Sequence, residues 1–395
     1  MRKSECMAKM HESAWKEITN FVVTQNDRVI VEELAVRVFG NPYTRLDEQG
    51  RPRINRIEEF AYLFIGPFVA GLMRWFLLHV QREHYDKILF STRDGYLVQK
   101  LYHRLIEIYD LRDMPKDCYF PISRTLCAAA AVFVREDLLR FGKVGYAHGP
   151  EAMLTRRFGL KKEQIKPFEH DKFSNVEEYI LAHEQQIMIR SKQIREHYLK
   201  YMRGIGLKEG EHYALFDFVS SGTCQLLLKY ICNLSISGVY AGRYFPFKGI
   251  TNYTSEQDKY RLPIHAYVVN QSTIERETNF FADYNFLELI FTSKDPSIAS
   301  MDQHGPVFDQ ELRSMKELEH IDKMQTAIFS YMEDISKKLI LDEEISFPLV
   351  DFIFGLKNAK YTREECSCLD QCELVEDFGQ GRIQLKRRSY GTGVF

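Results

Sequence analysis

Short apolar runs that end in a polar turn and lead directly into a helical pattern are the feature that most constrains the fold of this chain. The clearest unit is KILFSTRDGYLVQKL at residues 87–101, and a second is ALFDFVSSGTCQLLL at residues 214–228. Each run is long enough for one strand, and each following segment has helical spacing of its apolar residues. Because parallel strands need helical crossovers, this alternation predicts an α/β fold with a mostly parallel sheet.

Three further apolar runs predict strands at residues 117–124, 237–245 and 264–269. Residues 135–208 are charged and helical in pattern with few strand signals, so we expect a large helical insertion over the sheet. The predicted organisation is an N-terminal helical region that packs on the core, an α/β core that contains the insertion, and a C-terminal helical region. Their bounds are 1–82, 83–300 and 301–395.

The composition excludes several classes of protein. The chain has 395 residues, 45% of them apolar and 27% charged, which is typical of globular proteins and argues against disorder, collagen and many membrane spans. At ~150 residues per domain, the length suggests two or three domains. The net charge of −2 gives no global field that would attract nucleic acid, and the basic run 386–388 is short. Any anion site must therefore be local.

Cysteine usage and the first twenty residues both indicate a cytoplasmic protein. Eight cysteines are too few for a disulfide scaffold, and residues 1–20 lack the apolar core of a signal peptide. Cys366, Cys368 and Cys372 crowd into one segment without a nearby histidine. Zinc sites usually take four ligands in two separated pairs, so free thiols are favoured over a metal site there.

Residues 60–80 form an apolar run about long enough to cross a bilayer. Arg74 lies inside the run and Gly66-Pro67 interrupts it. Because an arginine at membrane depth costs a few kcal/mol, we expect a buried helix that covers the sheet.

The turn after the strand-like run 214–217 has the features of a phosphate-binding loop. Backbone N–H groups of Ser220, Ser221, Gly222 and Thr223 would lie at the start of the following helix, where unpaired donors and the helix dipole favour anions. Asp217, at the end of the strand, could bind sugar hydroxyls or a metal-bound water. The alternative is an ordinary helix cap.

Two other strand ends supply residues of the same kind. Arg93, Asp94 and Gly95 follow one strand, and Ser123 and Arg124 end another. Arginine suits phosphate or diphosphate through its bidentate geometry, and aspartate can hold magnesium or act as a base. Because ligands of open α/β sheets bind beyond the carboxyl ends of the strands, we expect one joint anion site. A surface ion pair and a solvated cap are the alternatives.

Glu288 lies between Leu287 and Leu289 in an apolar stretch. A carboxylate in such a position either forms an ion pair in the core or faces the site. Partial burial would raise its pKa and suit a general base.

The order of strand, acid, small-residue loop, helix and strand in residues 214–245 resembles the phosphoribosyltransferase pattern. In that pattern the small-residue loop holds the 5-phosphate of phosphoribosyl diphosphate. The familiar loop follows two adjacent acids, whereas Asp217 is followed by Phe218. This difference argues against base-salvage chemistry.

A closer resemblance covers residues 60–300. The segments IGPFVAGLMRWFLLHV, FSTRDGYLVQKLY, YFPISR, LFDFVSSGTCQLLL and FLELIFTSKDPSI occur in this order. Together they resemble the glycan phosphoribosyltransferase half of dual-domain ribofuranosyltransferases from bacterial polysaccharide assembly. The resemblance implies a phosphoribosyltransferase-like sheet and transfer of 5-phosphoribose from phosphoribosyl diphosphate to a glycan hydroxyl. In the family, a phosphatase half of the haloacid dehalogenase (HAD) type then removes the 5-phosphate. Its Asp-x-Asp-x-Thr/Val motif is absent near the N-terminus. The chain would then either make only the phosphoribosylated intermediate or work with a separate HAD-type phosphatase.

The resemblance also implies roles for the candidate residues. Arg93, Arg124 and Mg²⁺ would stabilise the leaving diphosphate, and Asp217 would bind the ribose. Asp94 or Glu288 would take the acceptor proton, with Asp94 favoured and also a candidate Mg²⁺ ligand. The donor-binding set is Arg93, Gly95, Ser123, Arg124, Asp217, Ser220, Ser221, Gly222 and Thr223.

Alternatives are kept for the function, the acceptor and the location. The chain could be a non-catalytic module that binds a phosphorylated ligand or serves in assembly. The acceptor glycan is free or lipid-linked, and a lipid-linked acceptor would place the protein at the inner face of the membrane.

Overall fold

A sheet of five parallel strands organises the computed structural model, which describes residues 2–13, 15–46, 52–54, 56–143, 146, 148–243, 262–269, 278–357, 373–376 and 381–384. The strands are β1 (Arg45–Leu46), β2 (Pro52–Arg53), β3 (Lys87–Ser91), β4 (Lys116–Phe120), β5 (His212–Ser220), β6 (Ser235–Arg243), β7 (Ile264–Val269), β8 (Ile298–Asp302), β9 (Gly305–Phe308), β10 (Glu373–Glu376) and β11 (Gly381–Gln384).

Helices make up most of the remaining described chain. They are α1 (Lys3–Glu12), α2 (Gln25–Phe39), α3 (Ile57–Phe60), α4 (Gly66–Glu83), α5 (Tyr96–Tyr109), α6 (Arg124–Ala130), α7 (Arg135–Gly142), α8 (Pro150–Arg156), α9 (Val176–Leu181), α10 (Glu184–Gly204), α11 (Thr223–Cys232), α12 (Asn279–Ala282), α13 (Tyr284–Phe291), α14 (Met315–Ser336) and α15 (Phe347–Leu356). Residues Lys16–Phe21 and Lys162–Gln164 are 3₁₀ helices, and a π-helix, Ala61–Ile65, joins α3 to α4.

The strand order is β4-β3-β5-β6-β7, and each neighbouring pair is parallel. All five strands arise from the apolar runs described above, so the prediction of an α/β fold with a mostly parallel sheet is confirmed. The chain first passes from β3 outward to β4 and later returns to the other side of β3 as β5. The strand order therefore reverses between β3 and β5, and such a reversal opens a crevice at the carboxyl ends of the strands.

The two faces of the sheet are covered by different parts of the chain. Side chains alternate along a strand, so Ile88 and Phe90 of β3 point to one face and Leu89 to the other. Ile88 and Phe90 pack with α2, α4, α5, α14 and α15, which come from the N- and C-terminal regions and the first crossover. Leu89 packs with α6, α10 and α11. Of these helices α10 belongs to the predicted helical insertion, which thus contributes to the layer on the second face.

The C-terminal region is mainly helical, as predicted, through α14 and α15, and it also contains short strands. β8 and β9 pair as an antiparallel hairpin whose turn has Gly305 at φ +125°, a conformation that favours glycine. Ile298 and Met301 of β8 are buried against the insertion. β10 and β11 form a second hairpin, and β1 and β2 form a two-residue pair in the N-terminal region. Apart from β8, these strands have four residues or fewer, too few to leave a clear periodic signal in the sequence.

The apolar run that could span a membrane is a helix of the core. The continuous helical stretch from Ile57 to Glu83 has the length and hydropathy of a membrane span, but 89% of its most apolar window is buried inside the protein. Arg74 donates hydrogen bonds to the carbonyls of Ile340 (2.7 Å) and Glu343 (3.0 Å). The arginine is thus satisfied by backbone oxygens, and α4 is the expected buried helix.

His79, near the end of α4, is expected to make the stability of the protein depend on pH. Its ring stacks on Trp75 at 5.4 Å and forms a 3.0 Å hydrogen bond with the Tyr85 hydroxyl. Burial and the nearby His265 lower the pKa of His79 from 6.5 to about 4. Between these two values the unfolded chain binds more protons than the folded protein, so stability falls as the pH drops.

Urea unfolding should show that the free energy of unfolding is roughly 2 kcal/mol lower at pH 4.5 than at pH 7, and His79→Gln should reduce this difference. The exposed His11→Gln is the matched control; an equal reduction in both variants would contradict the assignment.

Candidate active site

Arg93, Asp94 and Gly95 form the turn between β3 and α5, beside the point where the strand order reverses. The Gly95 N–H donates to the Ser91 carbonyl at 2.9 Å. A Cβ on Gly95 would lie 2.7 Å from that oxygen and 2.8 Å from the Ser91 nitrogen, so this tight turn requires glycine. Gly95 therefore shapes the turn and lets its neighbours face the crevice.

Arg93 has a left-handed backbone, with φ 71°, which is uncommon for a long side chain. Its N–H donates to the Tyr119 hydroxyl at 2.7 Å, and its carbonyl accepts from the Ser293 N–H at 3.1 Å. Its guanidinium donates to the Ser297 hydroxyl. The guanidinium Nε is buried and has no hydrogen-bond partner among the described residues. Arg93 is thus held in place yet has donor capacity left for a ligand.

The carboxyl group of Asp94 has a buried oxygen and a raised pKa. Its Oδ1 is buried and, within the described part of the chain, accepts no hydrogen bond. Burial raises the pKa of Asp94, and the positive charges of Arg93, Arg124 and Arg313 offset part of that rise. A buried carboxylate oxygen without a partner is costly unless a cation, donor or proton satisfies it.

Two further carboxyls lie close enough to Asp94 to feel its charge. Asp217 of β5 accepts hydrogen bonds from the Ser91 hydroxyl (3.3 Å) and the Phe218 N–H (3.0 Å). Burial and the charge of Asp94 raise the pKa of Asp217 to about 7, which those bonds and Arg124 partly oppose. Burial and Asp94 likewise raise the pKa of Glu288 to about 8, against the charges of Arg93 and Arg124.

The electrostatic effects of these side chains on one another's pKa values indicate which predicted site residues lie close together. Arg93, Asp94, Arg124, Asp217 and Glu288 belong to one cluster at the carboxyl edge of the sheet. Glu288 therefore faces the site, and it does so from α13, which packs against the end of the sheet through the neighbouring Leu287 and Leu289. Burial raises the pKa values of all three acids, and neighbouring carboxylates raise those of Asp217 and Glu288 further. Such a cluster is typical of functional sites.

The strand β5 continues to Ser220, past the predicted end at Asp217, and α11 begins at Thr223, so only Ser221 and Gly222 of the predicted loop Ser220–Thr223 lie between them. Gly222 precedes the helix with φ 87°, and its N–H donates to the Ser220 hydroxyl at 3.1 Å. The hydroxyls of Ser221 and Thr223 are 3.2 Å apart. One backbone N–H of the predicted phosphate-binding loop thus already donates within the loop, while the side chains of Ser221 and Thr223 remain partly exposed.

Ser123 has a structural task. Its hydroxyl accepts from the Leu126 N–H at 2.9 Å and donates to the Ile298 carbonyl at 2.6 Å. It caps α6, which begins at Arg124, and ties that helix to β8. Because its single hydroxyl proton is committed to Ile298, Ser123 contributes to the site chiefly by fixing where Arg124 begins its helix.

Sequence reasoning missed three residues that organise the site: Tyr119, Ser297 and Arg313. Tyr119 and Ser297 bond directly to Arg93. Arg313 is only 6% exposed and its charge acts on Asp94. Ser297 is 204 residues from Arg93, and no local pattern in the sequence indicates that contact. The YFPISR segment does place Tyr119 near a strand end, which was the one available signal.

Magnesium fits the site through few protein ligands. The described residues contain no group of three or more His, Cys, Asp or Glu side chains arranged to hold a metal. Mg²⁺ commonly uses one or two carboxylates together with substrate phosphates, so it needs no such cage. The orphaned Oδ1 of Asp94 is a suitable ligand for it. Cys366, Cys368 and Cys372 lie outside the described residues, and the five described cysteines are free thiols.

The fold and the site together define an α/β protein with a charged crevice at the reversal of its strand order. No protein-family model matches the chain, and a search of curated proteins finds no match either. Since one fold hosts many functions, the activity has to be inferred from the site itself.

Proposed function

We propose that the protein transfers 5-phosphoribose from phosphoribosyl diphosphate to a glycan hydroxyl and releases diphosphate. One observation supports this proposal most strongly: half-buried Arg93 and Asp94, adjacent in one turn, each have a buried polar atom without a partner among the described residues. An adjacent guanidinium and carboxylate with unpaired polar atoms could bind a diphosphate and its counter-cation, respectively.

In the proposed reaction, the bond between ribose C1 and the diphosphate oxygen breaks as a bond forms between C1 and the acceptor oxygen. Negative charge grows on the leaving diphosphate, which Arg93 and Arg124 would stabilise from fixed positions. Bound Mg²⁺ would supply further neutralisation of that charge, with Asp94 as its protein ligand. Displacement of the α-linked diphosphate on the opposite face gives a β-ribofuranoside.

The remaining residues divide between the ribose and the acceptor. Asp217 would accept hydrogen bonds from the ribose hydroxyls, and the Ser220–Thr223 loop would bind the 5-phosphate at the start of α11. Glu288 suits the acceptor proton, because its pKa of about 8 lies near neutral pH, where a general base is most effective. Asp94 is the alternative base, as favoured from the sequence.

A non-catalytic module that binds the same ligand is the second candidate. Phe218 takes the place of a second acid after Asp217, and its ring is fully buried, 4.4 Å from the ring of Phe291. The position is thus committed to the core. A ligand-binding protein without transfer activity would need only the anion site.

Isothermal titration with phosphoribosyl diphosphate, with and without Mg²⁺, tests the shared part of both candidates. We expect Mg²⁺-dependent binding, followed by diphosphate release when a panel of glycan acceptors is added. Binding without release for every acceptor would favour the module. Absence of binding would contradict both.

Ser221→Asp tests the phosphate loop. A carboxylate at this position would repel the 5-phosphate, so donor affinity should fall at least tenfold, or about 1.4 kcal/mol, while the fold stays intact. Ser330→Asp, on the exposed side of α14, is the matched control. Titration of both folded variants with phosphoribosyl diphosphate gives the comparison, and equal affinities would overturn the assignment of the loop.

A further inference from the structure

Arg93 is held by two elements that lie far apart in the sequence. The Arg93 N–H donates to the Tyr119 hydroxyl of β4. In the segment 293–297, between α13 and β8, one N–H donates to the Arg93 carbonyl and one hydroxyl accepts from the Arg93 guanidinium. Such left-handed backbone persists only where surrounding contacts enforce it. The orientation of the Arg93 guanidinium therefore depends on Tyr119 and on the position of that segment.

Arg313, just before α14, fixes the segment. Its guanidinium donates to both oxygens of Glu311 at 2.9 and 2.7 Å. Its other donors reach the Thr292 hydroxyl at 3.0 Å and the carbonyls of Ser293 and Asp295 at 2.9 and 3.0 Å. All five N–H groups of the side chain are thus used. A lysine, with one ammonium group, cannot span these acceptors.

We propose that Tyr119 and Arg313 are positioning residues that hold the Arg93 guanidinium on the leaving diphosphate. This inference rests on the proposed function, because it takes Arg93 to be a diphosphate ligand. Arg313 is saturated by its own contacts, and so it acts through the segment rather than by touching the substrate. A guanidinium fixed before binding loses less side-chain entropy when it grips diphosphate, which strengthens binding.

The test measures the affinity for inorganic diphosphate in the presence of Mg²⁺, by isothermal titration. Tyr119→Phe removes one hydroxyl, and Arg313→Lys keeps the charge but loses most of the hydrogen bonds. Each should weaken binding roughly three- to tenfold. Arg104→Lys, an exchange in an exposed ion pair with Glu107 and Glu333, should leave affinity unchanged.

The decisive measurement repeats both substitutions in Arg93→Ala. If they act through Arg93, they should have no further effect there, whereas a general loss of structure would weaken binding in either background. Phosphoribosyl diphosphate replaces diphosphate as the probe if Arg93→Ala binds the latter too weakly to measure.

The possible results separate the two proposals. Parental affinity in both variants, or equal losses with and without Arg93, would overturn the positioning roles alone. Failure of the parental protein to bind either probe would overturn the proposed function and this inference with it. If Arg313→Lys does not fold, Tyr119→Phe decides the question.

Discussion

Asp94→Asn is expected to lower the rate of diphosphate release by roughly 10²- to 10⁴-fold at ordinary Mg²⁺ concentrations. Asparagine keeps the size of the side chain and an oxygen but removes the charge. The Oδ1 of Asp94 is buried without a partner among the described residues, and the charges of Arg93, Arg124 and Arg313 act on it. No solvent can replace the lost charge at such a position, so the effect on a charged reaction should be large.

Varying the Mg²⁺ concentration separates the two roles of Asp94. If it is a metal ligand, the variant needs more Mg²⁺ and excess Mg²⁺ partly restores the rate. If it is the general base, excess Mg²⁺ has no effect and donor affinity changes little. Asp110→Asn, which breaks an exposed ion pair with Arg112, is the matched control. Near-parental turnover of folded Asp94→Asn would remove Asp94 from the reaction.

The positions of the site residues could be predicted from the sequence because they depend on local structure. Arg93 follows the end of β3 by two residues and Asp217 lies near the end of β5, and the carboxyl ends of parallel strands share one edge of a sheet. A strand, a turn and a helix are encoded within about 15 residues, so hydrophobic periodicity reveals them. The role of Gly95 follows from the same local geometry.

The contacts that complete the site could not be predicted in this way. Ser297 reaches Arg93 and Ser123 reaches Ile298 across separations of 204 and 175 residues. Which polar side chains meet depends on how the β8–β9 hairpin packs on the insertion, and that is decided by tertiary packing. Ser123 is an example of what the sequence alone does not reveal. A serine next to an arginine at a strand end is typical of a ligand-binding pair, but the Ser123 hydroxyl caps a helix.

The same packing explains why the charged cluster costs stability. Asp94, Asp217 and Glu288 are brought together where burial raises their pKa values, and the charge of Asp94 raises those of Asp217 and Glu288 further. Such a cluster persists because the two core layers on either side of the sheet hold its strands in place. Proteins commonly accept such a cost at functional sites, where relieving it removes activity.

Glu288→Gln should therefore make the protein more stable at alkaline pH while it lowers turnover. The pKa of Glu288 is about 8 in the folded protein and 4.5 as a free side chain. Between these values the folded state holds the proton more tightly than the unfolded chain, so stability falls as the pH rises from 4.5 to 8. Above pH 8 the full penalty is present, and the uncharged glutamine removes it.

Urea unfolding in a buffer with chelator, so that no divalent cation offsets the charge, measures this effect. Glu288→Gln should be roughly 2 kcal/mol more stable than the parent at pH 8.5, with the difference vanishing near pH 4.5. Glu319→Gln, at an exposed position of α14, should show no such dependence on pH.

If Glu288 is the general base, Glu288→Gln should also lower turnover by about 10²- to 10⁴-fold, and added Mg²⁺ should not restore it. A variant that gains no stability at pH 8.5 would place the Glu288 carboxylate outside the charged cluster, and one that gains stability but keeps its turnover would assign the acceptor proton to Asp94.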